Sequence, residues 1–473
     1  MHTIVWLSAT ELWERFTYYG MRALLVLHLV AAPMTGGFGL GDADAAAIYG
    51  LFVAGVYLAA LPGGAIADRY VGPINAIWWG GASIAAGNAV LATADSRWML
   101  GSGLALIALG VGLLKPNVTA LVARAAAREG RSIDAAFTVF YVGINVGGVG
   151  GPLLAAAFSR AFGWGAGYAV AAVGMLIGLA AFSRIAPRLR EPRDAVRRPA
   201  GRDLLLGSAV LVALAVAVSA ITPTLLARIA LGAVLVAAVA GFAWLTRIAQ
   251  SDHERRAVRR LALLFIGATA FWAAGEQAGI SLTLFAQRFT DRTVLGLEFP
   301  AAWYQSLYPG YVVLFAPLAA WLWVALARRN GDPSAVVKFG FGLLFGAAAL
   351  FIAAAGASGA GANGASPAWL AATYLFLAIG EILLSPIGLG AATRYAPAGH
   401  VGFATGLWFL SLSLGGLLAG VTGGLFDLGT TEGLATALIS IGCVLAVVGV
   451  VFALTARRFG EGPRVPRVSG AAD

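Results

Sequence analysis

Long stretches of apolar residues, separated by short polar or arginine-rich segments, run through almost the whole chain. Each stretch approaches the roughly 20 residues that a helix needs to cross a bilayer, and none alternates as the strands of a membrane β-barrel do. We therefore predict an all-α polytopic membrane protein. The fourteen predicted spans are residues 6–32, 46–67, 74–94, 98–122, 135–158, 164–185, 204–220, 225–246, 260–286, 302–326, 336–356, 367–391, 401–425 and 433–456.

The composition agrees with this pattern. Of the 473 residues, 60% are hydrophobic and 11% are charged, whereas soluble proteins carry about 25% charged residues. These values exclude a soluble globular protein and a disordered chain. Cys443 is the single cysteine, so a disulfide framework and a cysteine metal site are excluded as well. We predict no metal and no cofactor.

Two of the predicted spans differ from the others. Residues 204–220 and 225–246 contain no carboxylate and lie between the two most arginine-rich loops. Without them the chain has six plus six spans, which is typical of transporters built from two related halves. We expect a six-helix bundle at 1–186, a linker with two extra helices at 187–258, a second six-helix bundle at 259–457 and a tail at 458–473.

Basic residues are distributed unequally between the two sides of the predicted membrane. Most of the 32 lysines and arginines fall in the loops on the side of the N-terminus, and the loops of the other side hold only Arg97, Arg160, Arg228, Arg288 and Arg292. The positive-inside rule then predicts that both termini are cytoplasmic. The net charge of +10 reflects this topology and contact with membrane lipid, and we expect no nucleic acid as a partner.

The first span carries a polar stripe. On a helix, Glu11, Glu14, Arg15, Tyr18 and Arg22 fall within one arc of about 100°. Charges spread this far along the helix axis cannot all reach the membrane surface. The stripe is therefore expected to face water or other charges inside the protein.

Three further ionisable residues lie inside spans, namely Lys115, Glu276 and Glu381. Each costs about 2.5 to 3.5 kcal/mol at a helix centre unless it is paired or hydrated. A structural salt bridge is the alternative, but such pairs are often no more stable than apolar packing, which favours a functional site. The chain has one other lysine, Lys338. Because a buried lysine can lose its proton and an arginine does not, Lys115 is expected to be titratable or held by a strict size constraint.

A short motif joins the second and third spans. Gly64, Asp68, Arg69 and Gly72 form the pattern G-x-x-x-D-R-x-x-G. The glycines allow two helix ends to approach, and the charged pair can bridge them. The pattern predicts a gating latch that closes in one conformation and opens in another.

This motif resembles one that is typical of the major facilitator superfamily. Within that superfamily, other motifs of the chain resemble those of the proton-dependent oligopeptide transporter family. Residues 11–20, ELWERFTYYG, are similar to that family's ExxERFxYYG signature. Further motifs follow in the family's order at 114–117, 140–147, 271–277, 305–307, 316–317, 380–386 and 406–411. The resemblance implies a major facilitator fold with fourteen transmembrane helices, arranged 6 + 2 + 6, in a bacterial cytoplasmic membrane. We expect a monomer.

The resemblance also implies import of di- and tripeptides coupled to protons. Proton coupling would involve Glu11, Glu14, Arg15, Lys115 and Glu381. A peptide is a zwitterion, so its site needs cations, a carboxylate and adaptable aromatic walls. Arg22 and Lys115 would hold the peptide carboxylate, and Glu381 with Asn145 the amine. The full set of expected peptide-binding residues is Arg22, Tyr18, Tyr19, Tyr57, Lys115, Asn145, Trp272, Glu276, Glu381, Ser385, Trp408 and Ser411.

The chain departs from the family pattern at three positions. Tyr308 precedes Pro309 where the family usually has asparagine, so one amine-end hydrogen bond is not expected to carry over and the pocket is expected to be narrower. Gly275 stands at a position that is often acidic. Gly50 stands where animal members carry a histidine, so proton coupling is not expected to use a histidine there.

Two other functions fit parts of the sequence. A proton-coupled carrier of nitrate or of a drug-like organic acid would keep the same architecture. An intramembrane enzyme would need a nucleophile with a base, or a set of metal ligands. The sequence has no HExxH motif, and its four histidines are scattered. We therefore expect a transporter and not an enzyme.

Overall fold

The structure, a computed structural model, describes residues 2–189, 222–294, 296–329 and 333–455, and these residues are almost entirely helical. The helices are α1 His2–Val30, α2 Asp42–Ile66, α3 Pro73–Ala92, α4 Arg97–Arg128, α5 Ile133–Phe162, α6 Trp164–Ser183, α7 Ala186–Leu189, α8 Pro223–Ile248, α9 Asp252–Gly275, α10 Ser281–Arg288, α11 Leu307–Arg328, α12 Ala335–Ser358, α13 Ala368–Arg394, α14 Val401–Gly423 and α15 Thr431–Thr455. Short 3₁₀ turns cover Pro33–Thr35, Glu276–Gly279 and Ala301–Ser306, and a π turn covers Ala67–Val71.

Hydroxyl side chains mark the starts of several helices. Ser96, Ser132, Ser251 and Ser334 each precede a helix and accept a hydrogen bond from the backbone amide three residues later. Such caps satisfy amides that have no partner within the helix. The polar segments between the apolar stretches therefore begin the helices as well as separating them.

Eleven segments of the described residues are long and apolar enough to cross a membrane. Helix α1 is not among them, because the charged side chains of its polar stripe interrupt its apolar sequence. The prediction of an all-helical protein with many membrane-spanning helices is thus confirmed. The predicted span at 204–220 and the tail at 458–473 lie outside the described residues. The second helix of the predicted linker pair, at 225–246, is α8.

The helices pack in two groups. In the N-terminal group, α1 packs on α5 and α6, α3 on α4 and α6, and α2 on α4; in the C-terminal group, α12 packs on α13 and α15, α9 on α14, and α11 on α13. The groups meet where α2 packs on α14 and where α5 packs on α11. Helix α8 lies against both α14 and α2.

The helix in the predicted span at 260–286 is interrupted in the structure. Helix α9 ends at Gly275, a 3₁₀ turn covers Glu276–Gly279, and α10 begins at Ser281. Gly279 lies against the ring of Tyr49, whose hydroxyl would be 2.2 Å from a Cβ at this position. The break therefore lets the chain pass close to α2, within a segment, Asp252–Arg288, that is still long and apolar enough to cross a membrane.

A small hairpin of strands β1 Thr293–Val294 and β2 Leu297–Glu298 lies between α10 and α11 and was not predicted. The α1–α2 loop and the α14–α15 loop lie at the same end of the bundle as this hairpin. We call this end the hairpin end. Residues 2 and 455 lie at the opposite end, since the long helices alternate in direction.

Candidate functional site

A cluster of four charged side chains lies between α1 and α4. The carboxylates of Glu11 and Glu14 are fully buried, and Arg15 is 3% exposed. Glu11 Oε1 lies 3.6 Å from Lys115 Nζ and 3.6 Å from Arg15 Nε. Neither oxygen of Glu11 has a hydrogen-bond partner among the described residues. Glu11 is thus a buried carboxylate that lies near two cations. Among the described residues, no donor holds it by a hydrogen bond.

The second carboxylate of the cluster is held differently. Arg15 donates to both oxygens of Glu14, through Nε and through Nη2, the latter at 2.6 Å. Two parallel hydrogen bonds of this kind form the strongest type of ion pair in proteins. The Arg15 guanidinium also lies 4.6 Å from the centre of the Tyr18 ring, where it is attracted by the ring electrons. Glu14 is thus held by two hydrogen bonds from Arg15, whereas Lys115 lies 3.6 Å from Glu11.

A second ion pair joins the two groups of helices. Arg22 of α1 lies 3.2 Å from Glu276, in the turn after α9, and Tyr49 of α2 donates a hydrogen bond of 2.7 Å to the same carboxylate. The guanidinium also lies 5.2 Å from the centre of the Tyr19 ring. Arg22, predicted to bind a peptide carboxylate, is thus engaged by a protein carboxylate in this conformation.

A further charge inside a predicted span is the half-buried Glu381 on α13. Tyr308 at the start of α11 donates a short hydrogen bond to Oε2 of Glu381. Glu381 forms no ion pair with any described residue. Lys115 and Arg22 belong to the N-terminal group and Glu381 to the C-terminal group, so the site presents cations from one group and an unpaired carboxylate from the other.

Several predicted contact residues have buried polar atoms without a protein partner. Among the described residues, this holds for the Tyr18 hydroxyl, Trp272 Nε1 and Ser385 Oγ. Buried polar atoms are nearly always hydrogen bonded, to protein or to water. These three atoms are therefore available to water or to a ligand.

Other predicted contact residues use their polar atoms within their own helices. Asn145 donates to the backbone oxygen of Tyr141 at 2.9 Å, and Ser411 donates to that of Trp408 at 2.7 Å. The Trp408 ring packs on Gly388, and Tyr57 is half-buried. The structure does not bring Asn145 into hydrogen-bond contact with Glu381, so their shared role stays a prediction.

The predicted latch lies at the end opposite the hairpin. Gly64 is in the last turns of α2, Asp68 and Arg69 are exposed in the π turn, and Gly72 adopts a φ of 73°. This φ is one that glycine adopts without strain. Within the described part of the chain, no ion pair involves Asp68 or Arg69. The role of these four residues as a latch stays a prediction.

The hairpin end, in contrast, is closed by contacts that the sequence analysis missed. Arg288 of α10 lies 2.6 Å from Asp42 of α2, and Arg160 of α5 lies 3.1 Å from Glu298 of the hairpin. The indole of Trp303 donates to the backbone of α5 at 2.9 Å. Arg160 and Arg288 could not be identified as closing residues from the sequence, because in a topology analysis they are ordinary loop charges.

The chain matches the POT family over residues 74–439. It is 36% identical over 443 residues to the peptide transporter YePEPT of Yersinia enterocolitica, covering 88% of this chain and 86% of that protein. It is 33% identical over 427 residues to a di-/tripeptide transporter of Lactococcus lactis subsp. cremoris, covering 86% and 85%.

Solved structures are similar over almost the whole chain. A crystal structure of a variant of peptide transporter POT in complex with alafosfalin has a TM-score of 0.88 and 32% identity, covering 97% of this chain and 94% of that one. A POT family transporter in complex with a thioalcohol-conjugated peptide also has a TM-score of 0.88, with 26% identity, covering 97% and 96%. The sequence match, the relatives and the shared structure lead to one conclusion, that this chain belongs to the POT family of transporters.

Proposed function

We propose that this chain is a proton-coupled symporter that imports di- and tripeptides by alternating access. The observation that carries the proposal is the division of charge in the site. The N-terminal group supplies Arg22 and Lys115, and the C-terminal group supplies Glu381, which forms no ion pair with a described residue. A zwitterionic peptide would complete this arrangement, since it brings a carboxylate to the cations and an ammonium to Glu381. Trp272 and Ser385 have polar atoms free to contact its backbone.

Proton coupling is proposed to centre on Glu11. Its charge is balanced by Lys115 and Arg15 at 3.6 Å, and it accepts no hydrogen bond from the described residues. A proton on Glu11 would remove the attraction that holds Lys115. The two hydrogen bonds between Arg15 and Glu14 would remain. Lys115 could then bind the peptide carboxylate. Release of the proton would restore the Glu11–Lys115 pair and free the peptide.

The second cation is proposed to act at a different stage. Arg22 is bound to Glu276 across the two groups while the hairpin end is closed. A peptide carboxylate would compete with Glu276 for Arg22. Peptide binding would in this way be linked to the contact between the groups, and the aromatic side chains of Tyr18, Tyr19 and Tyr57 would line the remaining space.

The finer architecture is part of the same proposal. We assign the chain the major facilitator fold with fourteen transmembrane helices in a 6 + 2 + 6 order, with the bundles at 1–186 and 259–457, the linker at 187–258 and the tail at 458–473. The excess of arginine at the end opposite the hairpin supports cytoplasmic termini in a bacterial inner membrane. The hairpin end would then be external, and the proposed latch at residues 64–72 would be open in an inward-facing state, since Asp68 and Arg69 form no ion pair with a described residue. Protons and membrane lipid are the proposed partners besides peptides, the transporter is proposed to be monomeric, and no cofactor is proposed.

The driving force is sufficient for accumulation. A membrane potential of about 100 mV supplies roughly 2.3 kcal/mol per charge moved, and one pH unit supplies about 1.4 kcal/mol more. Together these values allow an accumulation of several hundredfold per proton for a net-neutral peptide.

The test is uptake of labelled dialanine into proteoliposomes under an imposed pH gradient and potential, with competition by tripeptides, nitrate and organic acids. We expect accumulation that a protonophore abolishes and that di- and tripeptides compete away. Uptake insensitive to the protonophore would contradict coupling to protons. Competition by nitrate or organic acids, with none by peptides, would instead support the alternative substrate class.

A further inference from the structure

We propose that Tyr308 determines specificity at the amine end of the site. Its hydroxyl occupies one oxygen of Glu381, and its ring limits the size of the first residue of the peptide. This inference rests on the proposed function, because it requires Glu381 to receive the peptide amine.

The hydrogen bond from Tyr308 makes the two oxygens of the Glu381 carboxylate unequal. Tyr308 donates to Oε2 of Glu381, and Oε1 accepts no hydrogen bond from the described residues. A carboxylate can accept several hydrogen bonds through its two oxygens. The phenol therefore leaves one oxygen, Oε1, for an ammonium group, and it supplies a donor that stabilises the half-buried charge when no peptide is bound.

The ring stands beside the position that an ammonium would take. A group bound to Oε1 lies about 3 Å from that oxygen, and the Tyr308 ring is attached to the other oxygen of the same carboxylate. The first side chain of a peptide, and any substituent on its nitrogen, would therefore compete with this ring for space.

The backbone around Tyr308 is fixed, so the ring cannot easily withdraw. Ser306 donates to the backbone oxygen of Val149 on α5 at 2.8 Å. Pro309 packs against Gly148 of the same helix, where an added Cβ would lie 3.0 Å from the proline side chain. Helix α11, which carries Tyr308, packs on α13 with Glu381 in the C-terminal group, and these two contacts also fix its start to α5. The ring is therefore a fixed wall beside Glu381 in this conformation.

This arrangement predicts a directional preference. Dipeptides with a small first residue, such as Ala-Phe, should bind better than the same residues in the reverse order, Phe-Ala. A methyl group on the peptide nitrogen should weaken binding further, because it adds bulk at the same point and removes a donor.

The experiment compares Ala-Phe and Phe-Ala as competitors of labelled dialanine, both in binding to the purified protein and in proteoliposome uptake. We expect Tyr308→Ala to raise the affinity ratio of Phe-Ala to Ala-Phe by about tenfold, the scale that a change in pocket volume produces. Tyr308→Phe keeps the ring and should leave this ratio unchanged, while it alters the affinity of both peptides by a common factor. Tyr311→Ala is the matched control, since Tyr311 lies one turn further along α11 and packs near Phe315.

Each outcome decides a different point. An unchanged ratio in a Tyr308→Ala protein that still binds dialanine overturns the inference and leaves the proposed function intact. Failure of the wild-type protein to bind any dipeptide overturns the proposed function and the inference with it. If Tyr308→Ala does not fold, Tyr308→Asn reduces the ring to a smaller polar side chain and must shift the ratio in the same direction.

Discussion

Arg288, at the end of α10, donates hydrogen bonds to both carboxylate oxygens of Asp42, at 2.6 and 2.8 Å. The same guanidinium donates to the backbone oxygen of Leu428, in the loop after α14, at 3.2 Å. Asp42 lies in the first turn of α2, where the helix dipole also favours a negative charge. One arginine therefore connects the N-terminal group with two parts of the C-terminal group at the hairpin end.

Removing this pair should open the hairpin end more often. Asp42→Asn keeps the shape of the side chain but removes its charge, and a partly exposed ion pair contributes about 1 kcal/mol, which corresponds to about a fivefold change in population. We expect spin-label distances between the two groups at the hairpin end to shift towards longer values. The exchange Asp42→Arg with Arg288→Asp should restore part of the short-distance population. Equal distances in all three proteins would show that the pair does not hold this end.

Glu14 should be required for proton-driven uptake but not for peptide movement. Glu14→Gln removes the charge that Arg15 binds, so Arg15 is expected to turn to Glu11 and release Lys115 permanently. Counterflow of dialanine, which needs no gradient, should persist, while accumulation driven by a pH gradient should disappear. Asp252→Asn, which breaks an exposed ion pair with Arg255, is the control. Full proton-driven uptake by Glu14→Gln would refute the assignment of coupling to this cluster.

Substitution of Lys115 shows whether the site needs an amine that can lose its proton. Lys115→Arg keeps the positive charge, but a guanidinium stays protonated. Counterflow should continue, and accumulation under a gradient of one pH unit should fall by about tenfold, the value of that gradient for one proton. Lys338→Arg, a change at the chain's other lysine, should leave accumulation unchanged. Normal accumulation by Lys115→Arg would mean that charge alone, and not titration, is required.

The polar stripe of α1 was predictable because it depends on helix geometry alone. Glu11, Glu14 and Arg15 lie on one helical face in the sequence, and the structure buries all three in one cluster with Lys115. Glu381 was predictable as a functional residue for a similar reason, because a charge inside a membrane span is costly unless it is paired or hydrated. The helical fold followed from the length of the apolar stretches.

The partners of these charges could not be predicted from the sequence. Arg22 and Glu276 are far apart along the chain, and their pairing depends on which end of the bundle is closed. The break after Gly275 was hidden because the hydrophobic pattern continues through it. It accompanies a tertiary contact, the close approach of Gly279 to Tyr49, which the hydrophobic pattern does not show.

Close packing of α2 on α14 requires a glycine at position 50. It lies where α2 crosses α14, and an added Cβ would be 2.6 Å from the backbone oxygen of Gly416 and 2.9 Å from Cα of Gly420. Backbone atoms cannot move aside as a flexible side chain can, so any larger residue must separate the two helices. Gly50→Ala and Gly50→His should both lower the melting temperature of the purified protein, with the larger effect for histidine. The control is Gly55→Ala, one and a half turns further along α2, where the nearest atom would be at 3.8 Å. A Gly50→His protein with unchanged stability and a new pH dependence of uptake would show that a histidine can be accommodated here, contrary to this packing.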